Sequence, residues 1–182
     1  MENLIIPSIL NILSYNNVYN SLYNCIFITI CSFLKLTFLQ NELINKLFII
    51  SFLNSSLYYI IDTFKILKNN KIDIFVIHHI CSSYIILSNY IFDYQIYSSY
   101  LILFLIELSS VSYNLYYHRF IKKQTHKIIY VPLRIICNVL LIYFILYDIK
   151  YTYLIELFLY LISYGLLLLF NTGGILKSLN LI

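Results

Sequence analysis

The sequence contains no alanine and no tryptophan, only 3 glycines and 2 prolines, and few charged residues. Charged side chains make up 11% of the 182 residues, about half the share usual in a soluble domain, whereas 61% of the residues are hydrophobic. A water-soluble fold of this length has too little interior to bury so much apolar surface. The shortage of charge therefore excludes a soluble enzyme, a disordered tail and a secreted disulfide-rich module, and it predicts a chain whose solvent is lipid.

The cysteines give no sign of a metal site or of a disulfide framework. They lie inside apolar runs and show no paired spacing, so they are interpreted as small hydrophobic residues and no metal is predicted. The four are Cys25, Cys31, Cys81 and Cys137.

Long apolar runs determine the predicted fold. About 20 apolar residues cross the hydrocarbon core of a membrane as a helix, and these runs are too continuous for the alternating strands of a β-barrel. The predicted fold is all-α, a polytopic bundle of about six transmembrane helices at 19–170, with an N-terminal stub at 1–18 and a short C-terminal tail at 171–182. The Asn-Thr-Gly-Gly run at 171–174 is interpreted as a helix stop. The predicted spans are A (19–39), B (46–66), C (72–91), D (95–116), E (129–147) and F (151–170).

The basic residues predict how the bundle is oriented. Most of the 12 Lys and Arg residues fall in the B–C loop, in the D–E loop or near the end of the chain. Because cytosolic loops are enriched in these residues, both loops and both termini are predicted to face the cytosol. Orientation accounts for the net charge of +4, so no nucleic-acid partner is expected. The basic residues of the two loops are Lys65, Lys68, Lys71, Arg119, Lys122, Lys123 and Lys127.

Four predicted spans carry ionisable residues toward the same side of the membrane, where lipid makes them costly. At about 1.5 Å per residue, Asp62, the His78–His79 pair and Arg134 lie within roughly 10 Å of the cytosolic boundary, and Glu107 lies deeper. Polar residues continue the faces of Glu107 and Arg134 at helical spacing. The candidate catalytic residues are His78, His79, Asp62 and Glu107, and the candidate lipid-binding residues are Arg134, Ser110, Asn114 and Asn138.

Two interpretations of these polar residues remain open. In one, they line a shared cavity that opens to the cytosol; in the other, they only hold the helices together by hydrogen bonds and ion pairs. The second interpretation explains Arg134 with Glu107 or Asp62. Adjacent residues point about 100° apart on a helix, so the His78–His79 pair favours the cavity. Glu156, near the opposite side of the membrane, is interpreted as a carboxylate that either reaches the membrane surface or bonds to neighbouring tyrosines.

The order of these motifs resembles the TLC domain, which is shared by translocating-chain-associated proteins, ceramide synthases and several smaller lipid-related membrane proteins. The Tyr-Tyr-Ile-Ile-Asp run at 58–62, a short basic loop and Ile-His-His at 77–79 are similar to the core of that domain. Ile-Glu-Leu-Ser-Ser at 106–110 and Leu-Arg-Ile at 133–135 are similar to segments of its smaller branch. The resemblance covers most of residues 20–170.

The resemblance implies a six-helix bundle around a lipid-sized cavity, in the endoplasmic reticulum or another endomembrane, with membrane lipids as partners and no cofactor. In ceramide synthases the paired histidines work with two Asp residues, three positions apart, in a later helix. The matching positions here are Glu107 and Ser110, so the second carboxylate is missing. The implied function is therefore lipid binding or lipid homeostasis. The alternative is an acyltransferase that uses acyl-CoA, a lipid amine or hydroxyl, and the His78–His79 pair.

Two further membrane functions fit the sequence less well. A metal-dependent lipid hydroxylase or desaturase holds two irons with many histidines, and only 4 histidines occur here. Transporters often have paired helices that Gly or Pro interrupts, and the predicted spans show no such pair.

Overall fold

The computed structural model describes residues 20–38, 40–68, 74–91, 97–148 and 154–181, and these residues form six α-helices and no β-strand. The predicted all-α fold is confirmed at this level, whereas the N-terminal stub lies outside the described residues. The helices are α1 (Asn20–Thr37), α2 (Glu42–Lys68), α3 (Ile74–Ile91), α4 (Tyr97–Tyr117), α5 (Lys123–Tyr143), which a π-helical turn (Phe144–Asp148) continues, and α6 (Leu154–Leu179).

Each helix covers one predicted span, but α5 and α6 depart from the predicted bounds. Helix α5 begins at Lys123 rather than at 129, so residues assigned to the basic loop are helical. The turn before it contains Arg119, whose φ is 63°. The N–H of Phe120 donates to the carbonyl of Leu115 at 2.8 Å, which caps the end of α4.

The interpretation of 171–174 as a helix stop is wrong, because α6 runs through this segment to Leu179. The residue after the helix, Asn180, has a φ of 61°, and a residue in this left-handed conformation commonly terminates a helix. Gly174 serves helix packing instead, since a Cβ at this position would collide with the hydroxyl of Tyr130 in α5.

The six helices form a closed ring in the order α1, α2, α3, α6, α5, α4, and α4 packs against α1 to complete it. The ring therefore consists of two three-helix halves, α1–α2–α3 and α4–α5–α6, which meet at the α1–α4 and α3–α6 contacts. Polar side chains bridge its interior: the hydroxyl of Tyr59 in α2 donates to Glu107 in α4 at 2.7 Å.

The outer surface of the ring is apolar and much of its interior is polar. Large hydrophobic side chains are more than half exposed on several helices, while amides and hydroxyls are fully buried. This distribution is the inverse of that in a water-soluble domain, and it suits a bundle whose outer surface meets lipid. Examples are Phe33, Phe64, Ile80, Val139 and Leu169 outside, and Asn24, Ser51, Ser55 and Asn171 inside.

Three stretches of the described helices are long and apolar enough to cross a membrane, by length and composition: Glu42–Lys68, Lys123–Leu146 and Leu161–Leu179. The shorter helical stretch Ser21–Thr37 is also apolar. Hydroxyl side chains inside the helices donate to carbonyls of the preceding turn, as Thr29 does to Cys25 at 2.6 Å. Such bonds satisfy a hydroxyl without water.

Candidate functional site

Five ionisable residues singled out from the sequence come together at the interior of the ring. Asp62 lies on α2, His78 and His79 on α3, Glu107 on α4 and Arg134 on α5. We call these five residues the central cluster. All five are buried or partly buried, although they come from four different helices.

Glu107 is the most deeply buried member, with 1% of the residue exposed. Its Oε1 accepts a hydrogen bond from the hydroxyl of Tyr59 at 2.7 Å, and the thiol of Cys25 lies beside the same carboxyl group. Its Oε2 has no hydrogen-bond partner among the described residues. A buried carboxylate oxygen without a donor costs free energy, so this oxygen is an open acceptor.

Arg134 is held in place by two neighbours and is 3% exposed. One terminal nitrogen donates to Asn171 on α6, and the other donates to Ser110 on α4 at 3.1 Å. The guanidinium also lies 5.2 Å from the ring centroid of Tyr130. Its Nε is buried without a partner among the described residues. The cation also lies near enough to Glu107 for a favourable electrostatic interaction with its carboxyl group, without a direct ion pair among the described residues.

The adjacent histidines have different neighbours. The Nδ1 of His79 lies 3.4 Å from Oδ2 of Asp62, which is an ion-pair distance without hydrogen-bond alignment. The His79 ring stacks on Tyr59 at 5.0 Å, and the His78 ring stacks on Phe170 of α6 at 4.0 Å. The side chain of Asp62 is 32% exposed, so this carboxylate lies at the edge of the cluster that is nearest the surface.

The remaining candidate residues divide between the central cluster and the helix contacts. Ser110 joins the cluster because it accepts a hydrogen bond from Arg134. Asn114 instead donates to the Ser110 carbonyl at 2.9 Å and to the sulfur of Cys25 at 3.8 Å, in the α1–α4 contact. Asn138 donates to a threonine of α6 at 3.3 Å. The side chain of Glu156 lies outside the part that the structure describes.

Four contributors to the cluster were not singled out as site residues from the sequence. Tyr59 belonged to the family-like motif but received no role, and Cys25 was interpreted as a small hydrophobic residue. Phe170 and Asn171 fell at the expected end of a span. These two successive residues of α6 contact His78 and Arg134, respectively. The only sign of this role in the sequence was the amide of Asn171 in an apolar run.

A second buried histidine, His126, lies near the start of α5, where the sequence predicted a loop. Its two ring nitrogens face serine hydroxyls, with Ser112 at 3.2 Å from Nδ1 and Ser178 at 3.4 Å from Nε2. Ring centroids of three tyrosines surround it at 4.8 to 6.0 Å. We call His126 with Ser112, Ser178, Tyr113, Tyr116 and Tyr130 the His126 cluster.

No family model, curated protein or solved structure matches this chain. The described residues contain no group of three or more His, Cys, Asp or Glu placed to hold a metal ion. The four cysteines are buried and free.

Proposed function

We propose that this chain is a multi-pass membrane protein of TLC type that binds a membrane lipid inside its helix ring. The head group meets the central cluster, and the role is lipid binding or lipid homeostasis. The observation that carries the proposal is the set of buried polar atoms without partners inside a bundle whose outside is apolar. In lipid, such atoms are costly unless another polar group, water or a ligand meets them.

The acyl chain is assigned to the apolar side of the central cluster. Hydrophobic side chains of α4, α5 and α6 pack together there, on the side away from the α4–α5 turn. Burial of each methylene of an acyl chain contributes about 0.8 kcal/mol, so the tail supplies most of the affinity and the central cluster supplies the head-group selectivity. The apolar residues include Ile102, Leu105, Leu141, Phe144 and Leu167.

The proposed membrane is the endoplasmic reticulum or another endomembrane, with the basic end of the ring in the cytosol. Lys123 donates to Asn180 at 2.9 Å, which supports a common end for the start of α5 and the end of α6. A glycosylation tag is expected to be modified in the α1–α2 loop and to remain unmodified in the α4–α5 turn. Modification in the α4–α5 turn would reverse the proposed orientation.

Lipid retention during purification tests the proposal. The protein is extracted in a mild detergent and examined by native mass spectrometry for bound lipid. We expect wild type to retain a lipid and His79→Ala to lose it, because His79 lies between Tyr59 and Asp62 in the cluster. His118→Ala, at the α4–α5 turn, is the matched control and should retain the lipid. Wild type that neither retains nor rebinds any lipid would overturn the proposal.

The contact between Asp62 and His79 favours a second candidate, acyl transfer from acyl-CoA to a lipid hydroxyl or amine. A carboxylate beside an imidazole stabilises the cation that forms when the ring accepts a proton. His79 would take the proton of the attacking group as the new bond to the acyl carbon forms. The thioester carbon–sulfur bond breaks, and the proton passes to the thiolate of CoA.

Turnover distinguishes the two candidates. If the protein is an acyltransferase, purified wild type releases CoA thiol from an acyl-CoA when a lipid acceptor is present. His78→Ala and His79→Ala should both abolish this release while expression stays unchanged. A protein that binds lipid but releases no thiol with alcohol or amine acceptors has the first function and not the second.

A further inference from the structure

We infer that the head group bound at the central cluster is electrically neutral and carries hydroxyl groups, as the head of a monoacylglycerol does. This inference rests on the proposed lipid-binding function and names the class of its ligand. It follows from two properties of the cluster. One is the set of buried polar atoms that lack hydrogen-bond partners among the described residues, and the other is the sign of the buried ionisable side chains.

The unmet hydrogen bonds are of opposite kinds. Oε2 of Glu107 is an acceptor without a donor, and Nε of Arg134 is a donor without an acceptor, among the described residues. A carboxylate or phosphate head group only accepts hydrogen bonds once it is ionised, and an ammonium head group only donates. A hydroxyl does both. Hydroxyl groups can therefore satisfy the missing hydrogen bonds of both side chains. An anionic or a cationic head group leaves one of these two hydrogen bonds unsatisfied.

Three more unmet atoms lie on α3. The hydroxyl of Ser83 and the Nδ1 atoms of His78 and His79 are buried without hydrogen-bond partners in the described part of the chain. Ser83 follows His79 by one helical turn, on the same face of α3. Several unmet groups on three helices call for a head group with more than one hydroxyl, as glycerol has.

The deep interior holds one acidic and one basic side chain. Glu107 and Arg134 are both buried, and their formal charges are opposite. Asp62 is partly exposed at the edge of the cluster, and its carboxylate faces His79. A charged head group would add a third, uncompensated charge in surroundings of low polarity, which costs several kcal/mol of desolvation. A neutral head group avoids this cost.

Three probes that share one C18 chain separate the possibilities: monooleoylglycerol, oleate and oleylamine. Delipidated protein in nanodiscs is titrated with each probe at a mildly alkaline pH, where oleate and oleylamine are both charged. We expect wild type to bind monooleoylglycerol at least about tenfold more tightly than either charged probe.

Variants that unbalance the two charges should change the preferred head group. Glu107→Gln leaves Arg134 uncompensated, so binding of oleate should rise about tenfold relative to monooleoylglycerol. Arg134→Gln leaves Glu107 uncompensated, so binding of oleylamine should rise by a similar factor. The controls are Glu42→Gln and Lys35→Gln, which make the same charge changes near the α1–α2 loop, away from the cluster. Both controls should keep the wild-type preference.

The outcomes separate the inference from the proposed function. Wild type that binds a charged probe best, or variants whose head-group preference does not change, would overturn the inference while leaving lipid binding intact. Wild type that binds none of the three probes would overturn both. Thermal unfolding verifies that each variant is folded, and if Arg134→Gln does not fold, the nearly isosteric Glu107→Gln decides alone.

Discussion

The ring contains two buried histidine sites that differ in how far their hydrogen bonds are satisfied. In the His126 cluster, both ring nitrogens face serine hydroxyls, and three tyrosine rings enclose the imidazole. In the central cluster, Nδ1 of His78 and Nδ1 of His79 lack a hydrogen-bond partner among the described residues.

We interpret this difference as one between a histidine that stabilises the fold and histidines that are available to the proposed ligand. Buried polar groups in proteins are nearly always paired, and each exception calls for an explanation. The His126 cluster has its own partners and joins α4, α5 and α6. The central cluster keeps buried atoms without partners among the described residues, and Asp62 at its edge is partly exposed, so we expect a ligand to complete it. Stability and lipid binding should therefore respond differently to substitutions at the two sites.

The largest loss of stability is expected for His126→Ala. The change removes two hydrogen bonds and leaves a cavity among three tyrosines, which together cost about 2–4 kcal/mol of unfolding free energy. Thermal unfolding can be followed with a thiol-reactive fluorogenic dye, because the four cysteines are buried and free in the fold. Lipid selectivity should stay as in wild type. An unchanged unfolding temperature, or a changed lipid selectivity, would contradict a purely structural role of His126.

Gly174→Ala should destabilise the same region through packing. The added Cβ would collide with the hydroxyl of Tyr130, which belongs to the His126 cluster, and overpacking of this kind costs about 1–3 kcal/mol. Gly173→Ala is the matched control, because a Cβ there meets no atom within 4 Å. The control should be neutral or slightly stabilising, since Ala favours a helix interior by about 1 kcal/mol over Gly. Equal unfolding temperatures for the two variants would contradict the tight α5–α6 packing.

Tyr59→Phe tests the central cluster with a smaller effect on stability. It removes the donor to Oε1 of Glu107, which costs about 1–2 kcal/mol because the carboxylate loses its donor in a buried site. Lipid retention should fall by more than this modest loss of stability explains. Tyr117→Phe, on the exposed end of α4, should change neither quantity. Lipid retention that stays at the wild-type level in Tyr59→Phe would show that Glu107 does not contact the head group.

The smallest change in stability is expected for Asp62→Asn. The carboxylate is partly exposed and contacts His79 only at 3.4 Å, and exposed ion pairs contribute about 0–1 kcal/mol. If the acyltransferase candidate is right, thiol release should nevertheless fall strongly, because His79 loses the carboxylate that stabilises its cation. Unchanged turnover in an active protein would remove Asp62 from the catalytic set.

Much of the fold was predictable because it depends on local sequence. The apolar runs are long enough to identify each helix, and the cost of charge in lipid makes Glu107 and Arg134 stand out. The six membrane crossings, the cavity and the topology stay predictions. The structure contributes the order of the helices in the ring.

The helix order could not be read from any single segment. Which residues of α6 meet α3 and α5 depends on ring closure, and this is why Asn171 was missed as a partner of Arg134. His126 was assigned to a loop because basic residues flank it in sequence, although its tyrosine and serine partners come from three helices. Gly174 was misinterpreted for the same reason, since its role depends on a tyrosine in α5.

The division of the ring into two halves has a consequence for the biosynthesis of the protein. The first half, α1–α2–α3, is made before its partners exist. In the proposed membrane fold, Tyr59 and His78 therefore enter the membrane without Glu107 and Phe170. The second half then brings a carboxylate and a guanidinium, which are costly in lipid until the ring closes. These polar side chains lack their partners until the ring closes. We therefore expect cellular quality control to recognise the chain mainly at this stage. If synthesis of the second half is slowed, the incomplete chain should be degraded rather than accumulate.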